Sequence, residues 1–485
     1  MISIGFDDQG KIGLQYVTES LHPCSPFGQE RVRKLRFFAP DERAALETEL
    51  GNTERAAEAA DRLGPLYEQI MLVLCQLKDI RGSVTRLSEG AVLDHVELFE
   101  LKGFLMRISD LLPLFASMNE TIRAEGIAFS DSSEALDVLD PERTRSRGFY
   151  IPDGASEELR AIRAEKKRLE KQLYEVPDAE KDPIRTERAR VCAEEETEER
   201  HIRKAMCLSL LPHVPAMQKD ADAAGRLDFL IQKALFAKQY GGVRPEITET
   251  ALELTDMVNP ELCDLLKAKG RAFVPVSIAT DRGATVITGA NMGGKSVAMK
   301  TLALNVLLMH AGFLVCAKAA RIPMLESVRM LFDDAQSMQS GLSGFGSEIV
   351  RFNAALSEVE QGYSLFLIDE LARGTNPDEG AVIVQAVTRY LNGVNAISIL
   401  ATHYDGVAEN ARIHYQIIGL RDVDPGRIKA ELAAAHEDGV AVIARHMNYG
   451  LYRVEGKADC PKDALNICRM LSLKPEILER IERAY

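Results

Sequence analysis

In the first half of the chain apolar residues recur at three- and four-residue steps. Between Pro40 and about Phe115, Leu63, Tyr67, Ile70, Leu74 and Leu77 share one helical face, and Val96, Phe99, Leu101, Leu105 and Ile108 share another. Asp41 and Glu42 mark the helical start, and Arg81-Gly-Ser-Val is expected to interrupt the pattern. Pro152-Asp-Gly-Ala-Ser reads as a turn with Ser156 as N-cap, followed by a charged helix over 157–175. Pro177 to Pro183 breaks that helix, and a second charged one is expected over about 184–211. Two such helices joined by a short polar loop predict an antiparallel arm, either a solvated hairpin or a functional clamp. From about Thr250 the period changes. Short β-like runs at 273–276, 284–288, 364–368 and 396–400 alternate with helical segments, the pattern of an α/β domain with a largely parallel sheet. The expected organisation is multidomain: an all-α region followed by an α/β domain. A helical core begins over 1–150, the arm spans 151–215, helices return to the core over 216–250, and the α/β domain fills 251–485.

Composition narrows the class. The chain has 485 residues, 46% of them apolar and 27% charged, an ordinary globular balance. Aromatics are 6% and tryptophan is absent, so the core must be aliphatic. The longest apolar stretch, 304–315, contains Asn305, His310 and Gly312 and is too short for a bilayer span. The first residues lack a basic start and a long apolar run, so a cytoplasmic location and no membrane partner are expected. Eight cysteines without a C-x-x-C pair argue against a zinc knuckle or a disulfide framework. Cys75 and Cys316 lie in apolar runs and are expected to be buried. Net charge is −14, so contact with nucleic acid would need a local basic face. The arm does not supply an excess: residues 156–205 hold 13 Lys/Arg and 14 Asp/Glu. At helical spacing, Arg160, Arg163, Lys167 and Lys171 nevertheless fall on one face as a candidate basic stripe.

The chemistry concentrates after 284. The strand at 284–288 runs into Gly289-Ala290-Asn291-Met292-Gly293-Gly294-Lys295-Ser296, a G-x-x-x-x-G-K-S loop, then into a helix expected over 297–309. Glycines let backbone N–H groups turn toward phosphates at the positive end of the helix. Lys295 can reach the β and γ phosphates, and Ser296 can ligate Mg2+. Some 70 residues on, a four-residue apolar strand ends in Asp369-Glu370, where ligands sit in such sheets. Asp369 is the second magnesium candidate, and Glu370 the candidate general base for an attacking water. Ala401-Thr-His403-Tyr404 closes the next strand with a histidine that can contact the γ-phosphate. The expected cofactors are ATP and Mg2+.

Together Thr288 to Ser296, Asp369-Glu-Leu-Ala-Arg-Gly-Thr375 and Ala401-Thr-His-Tyr404 resemble the ATPase domain of the MutS family, an ABC-like P-loop NTPase class. Asp334 to Glu348 resembles that family's signature segment, and with Asn376-Pro-Asp-Glu-Gly380 it leans to the anti-recombination branch, which lacks a mismatch-reading domain. Weaker similarity over 81–105 and 228–240 implies the family's helical core and lever helices, with the arm in the place of levers and clamp. The resemblance implies catalytic roles for Lys295, Glu370 and His403, and nucleotide binding by 289–296 and Val297. It further implies contact of Ser343 with the nucleotide of a partner subunit, and stacking of Tyr452 on adenine. Ala290 replaces the family's usual proline and Val297 its usual threonine. No Phe-x-Glu mismatch wedge stands near the start, the tip between Glu175 and Ile184 is short for a full clamp, and no helix-turn-helix or nuclease module is expected after Tyr485.

The resemblance implies a dimeric ATP-hydrolysing motor, a homodimer through its ATPase domains, associated with DNA mismatch repair or branched-DNA processing. The alternative it leaves open is a reactivating chaperone of an adenosylcobalamin-dependent aminomutase, with a client enzyme in place of DNA. Acidity and the charge-balanced arm favour the alternative; the family favours DNA.

Overall fold

The computed structural model describes residues 10, 12–145, 148–289, 294–332, 344–421, 423, 431, 446–455, 468 and 473–484. The chain divides into two compact units, one of His22–Lys34 with Glu58–Gln232, the other of Met1–Leu21, Leu35–Ala57 and Lys233–Tyr485.

The first half is helical, as the periodicity implies: α1 (Leu14–Ser20), α2 (Pro26–Arg33), α3 (Arg43–Leu74), α4 (Arg81–Ser88), α5 (His95–Ile122), α6 (Ser133–Leu139), α7 (Glu157–Glu175), α8 (Lys181–Leu210) and α9 (Val214–Tyr240). Two details differ from the pattern. Residues 81–88 form a helix of their own, with Val84 and Leu87 buried, and the interruption falls at 75–80 instead. The helix α8 begins at Lys181, because Pro183 lies in its first turn, where no intrahelical N–H donor is needed. Cys316 is buried as expected, but Cys75 is exposed: α3 ends at Leu74, and position 75 falls off the face that buries Leu74 and Leu77.

Within the unit of 22–34 and 58–232, Asp228 is fully buried and accepts hydrogen bonds from the Cys24 and Ser25 amides and from the Ser25 hydroxyl. Burial raises its carboxyl above the usual range, opposed by those donors. Ser25 caps α2, so one carboxylate anchors the entry of that helix. Phe27 packs edge-on against Phe104, ring centroids 6.0 Å apart. Helices α7 and α8 pair through charge. Arg163 Nη1 donates to Asp153 at 2.6 Å, Nε to Glu195 at 3.0 Å and Nη2 to Glu199 at 2.8 Å, while Arg188 reaches Glu170 at 2.7 Å. Arg163 therefore leaves the expected basic stripe: its side chain is 13% exposed. Lys167 and Lys171 stay exposed, each within 3.9 Å of an acidic oxygen.

The other unit holds two sheets. Strands β1 (Glu246–Thr248), β2 (Leu252–Met257), β3 (Val276–Thr280) and β5 (Ala319–Pro323) form a four-stranded sheet in the order β1-β5-β2-β3, with α10 (Pro260–Ala268) between β2 and β3. The β-like run at 273–276 joins the sheet only from Val276, because Pro275 cannot donate to a ladder. The larger sheet contains β4 (Gly283–Thr288), β6 (Ser327–Leu331), β7 (Ser364–Asp369), β8 (Ala396–Thr402), β9 (Ile413–Gly419) and β10 (Asn448–Arg453) in the order β10-β9-β4-β8-β7-β6. All neighbours are parallel except β10 on β9. Strands β4 and β8 are buried throughout, as expected of a parallel sheet covered on both faces. Helices α11 (Lys295–His310), α12 (Gly344–Val359) and α13 (Pro377–Leu391) come after β4, β6 and β7, and α14 (Pro475–Ala484) lies near the end.

Candidate nucleotide site

Strand register brings the expected residues together. Thr288 of β4 pairs with Thr402 of β8, and Ala401 of β8 pairs with Asp369 of β7, so three carboxyl ends finish level. The residues leaving those ends are therefore adjacent: Gly289, His403, and Glu370 beside Asp369. Ligands in open parallel sheets bind at this edge.

Helix α11 starts at Lys295, and no side chain caps its N-terminus. Its first N–H groups thus form an anion-binding end. Gly294 takes φ +88°, and a Cβ there would stand 2.8 Å from Tyr449 Cδ1, so both backbone and space require glycine. Lys295 is buried, its Nζ donating to the Gly289 carbonyl at 2.7 Å and lying 3.6 Å from Glu370 Oε1. Ala290, Asn291, Met292, Gly293 and Ser343 lie outside the described residues.

Asp369 and Ser296 form the candidate magnesium pair. Asp369 Oδ1 is buried without a hydrogen-bond partner. Burial raises its carboxyl above the usual range; the Ser296 hydroxyl and nearby lysines pull it down, and Glu370 pushes it up. A buried carboxylate oxygen in need of a partner, beside a hydroxyl, fits Mg2+, which takes few protein oxygens and completes its shell with water and phosphate. Among the described residues no cluster of three or more His, Cys, Asp or Glu could hold a metal by itself.

Glu370 is held unusually. Its φ is +51° and that of Ala372 is +65°, a left-handed conformation that costs roughly 1–2 kcal/mol for each non-glycine residue. Its amide donates to Ala401 O at 3.0 Å, and Arg373 Nη1 lies 3.3 Å from Oε2. His403 Nδ1 is 3.9 Å from Glu370 Oε1 and has no hydrogen bond. Burial lowers the His403 imidazole, opposed by the Glu370 charge, and Lys295 and Arg373 add to the lowering. A neutral ring near pH 7 can offer one donor and one acceptor to a phosphate.

Beside Gly294 and Lys295 opens a cavity of about 560 Å³, within the size range of small-ligand sites. Its walls include Leu262, Leu265, Leu266, Phe273, Val274, Met447 and Tyr449, together with Lys295, Ser296, Val297 and Glu370. Tyr452 stands apart, its hydroxyl bonded to Gln416 and its ring 4.7 Å from the Arg421 guanidinium. Phe273, Tyr449 and Arg373 belong to the site as well, although no motif marks the first two. Phe273 precedes the phosphate loop by 16 positions within an apolar run, and only the placement of β10 brings Tyr449 to Gly294. Arg373 stands three positions after Glu370, a spacing that could have drawn attention to it.

Residues 285–471 match the family model of MutS domain V. Among similar proteins, Endonuclease MutS2 of Streptococcus agalactiae is 28% identical over 68% of this chain and 41% of its own length. Endonuclease MutS2 of Agathobacter rectalis is 32% identical over 43% of this chain and 26% of its own length. DNA mismatch repair protein MutS of Shouchella clausii is 25% identical over 80% of this chain and 51% of its own length. The chain thus spans about half or less of the curated relatives it matches.

Proposed function

The chain is a MutS-family protein, its residues 285–471 matching MutS domain V, and from that premise we propose that it binds ATP with Mg2+ and hydrolyses it at the ends of β4, β7 and β8. The observation that carries this is the convergence of Lys295, Ser296, Asp369, Glu370 and His403 at one sheet edge. Lys295 and the first turn of α11 hold the phosphates, while Ser296 and Asp369 hold Mg2+. Mg2+ supplies charge neutralisation for the transferring phosphoryl group. Glu370 takes the proton of the attacking water, His403 contacts the γ-phosphate, and the apolar cavity with Phe273 and Tyr449 receives the base.

The motor's client is proposed as DNA, mismatched or branched, on the strength of the relatives' names; a homodimer through the ATPase domains belongs to the same reading. One observation favours a protein client instead. The arm spends its cations internally, Arg163 on three carboxylates and Arg188 on Glu170, and so offers few free charges to phosphates.

The test has two arms. The wild type should release phosphate from Mg·ATP, and Lys295→Ala should bind ATP at least ~10-fold more weakly, as expected when a charge-assisted phosphate contact is lost; unchanged affinity would remove the phosphate-loop assignment. A labelled four-way junction and a mismatched duplex, titrated at low and physiological salt, decide the client. Tight binding that survives salt establishes the DNA reading, whereas affinity no better than the ~10⁻⁴–10⁻⁶ M of non-specific contacts directs the search to a protein.

A further inference from the structure

We propose that Tyr404 and Glu348 are positioning residues that fix the Glu370 carboxylate by clamping the peptide groups of Ala372 from two sides. The inference rests on the reading of Glu370 as general base. The Tyr404 hydroxyl donates to Ala372 O at 2.8 Å, and the Ala372 amide donates to Glu348 Oε1 at 3.0 Å. Ala372 and Glu370, two positions apart, are both left-handed, and such backbone persists only where surrounding contacts over-determine it. On the far side of Glu370, its own amide is held by Ala401 O. The three bonds leave the turn little freedom, so the direction of the Glu370 side chain is set by its neighbours.

The Tyr404 hydroxyl has a reserved place. Tyr404 is buried, its amide donates to Thr402 Oγ1 at 3.1 Å, and a Cβ on Gly380 would lie 2.5 Å from its oxygen. Any larger residue at 380 would displace the hydroxyl. Burial and the charges of Glu348 and Glu370 raise the phenol, so it remains a protonated donor. Glu348 comes from α12 and Tyr404 from the residue after His403. The clamp therefore ties the general base to α12, the helix that follows β6. Displacing a catalytic group by about 1 Å can cost about 10²-fold in rate.

The experiment compares steady-state ATP hydrolysis in Tyr404→Phe, Glu348→Ala and Glu348→Gln, with urea midpoints confirming the fold. Tyr404→Phe and Glu348→Ala should lower kcat about 10- to 100-fold with KM for ATP within about threefold. Glu348→Gln keeps the acceptor oxygen and should restore most of the rate. Added to Glu370→Gln, Tyr404→Phe should slow turnover no further, because the group it positions is gone. Unchanged kcat in Tyr404→Phe, a rise in KM alone, or a further tenfold loss in the double variant would overturn the clamp while Glu370 stands. Full turnover in Glu370→Gln would overturn the base and the clamp together.

Discussion

His310 shows what one buried side chain does to this protein. It closes α11 and is fully buried, with Nδ1 3.0 Å from Phe38 O and the Leu325 amide donating to Nε2 at 3.4 Å. The ring is neutral near pH 7, because burial outweighs the carbonyls of Phe38 and Pro323, which both favour its protonated form. Burial holds it down at about 4 from an ordinary value near 6.5. The unfolded chain therefore binds more protons than the folded one between those values. Stability from this site is complete above about pH 6.5 and is lost as pH falls toward 4, by up to about 3 kcal/mol. Urea midpoints measured from pH 7.5 to 4.5 should fall, and His310→Gln should flatten that slope while costing stability at neutral pH. A slope unchanged by the substitution would show that other groups set the acid limit.

Among the elements, the α7–α8 arm depends most visibly on one contact set. Arg163 joins Asp153, Glu195 and Glu199 and also donates to Ile151 O at 2.7 Å, and these partners hold its guanidinium firmly charged against burial. Removing it leaves Glu195 with Lys166 alone, at 2.5 Å, and Glu199 with only the His95 imidazole, at 3.1 Å. Breaking a fully buried pair costs about 3–5 kcal/mol and an exposed pair such as Lys171–Glu175 is worth about 1 kcal/mol or less, so this partly buried set with remaining partners falls between the two. Arg163→Ala should therefore destabilise the arm and raise its protease sensitivity, and Lys171→Ala should change neither detectably. Equal effects in the two variants would contradict this ranking. The existence of the arm is legible from its turn residues and charged helical period, but its charge pattern misleads. Periodicity places Arg163 on a stripe with Lys167 and Lys171, and only the partner helix reveals that it turns inward. The break at 75–80 is equally hidden, because 81–88 has a buried face that its Gly82 and Ser83 disguise.

For the whole molecule, what is local in sequence is readable and what is long-range is not. The phosphate loop, the Asp369-Glu370 strand end and His403 each carry a signature within a few residues, and the alternation of runs suffices to place them at one edge of a parallel sheet. The association of 35–57 with the C-terminal unit has no such signature. It is made by contacts such as the Thr53 hydroxyl with Gly312 O at 3.3 Å and Phe38 with His310, more than 250 positions apart. The cavity beside Lys295 is hidden for the same reason, since Leu262, Phe273 and Tyr449 meet only through the sheet order. That this edge hydrolyses ATP with Glu370 as base is tested most directly by a single variant. Glu370→Gln keeps shape and hydrogen-bonding capacity but cannot take the proton of water. Measured side by side with the wild type, it should bind Mg·ATP with similar affinity and turn it over about 10²–10⁴-fold more slowly. Turnover at the wild-type rate with binding intact would contradict Glu370 as the base.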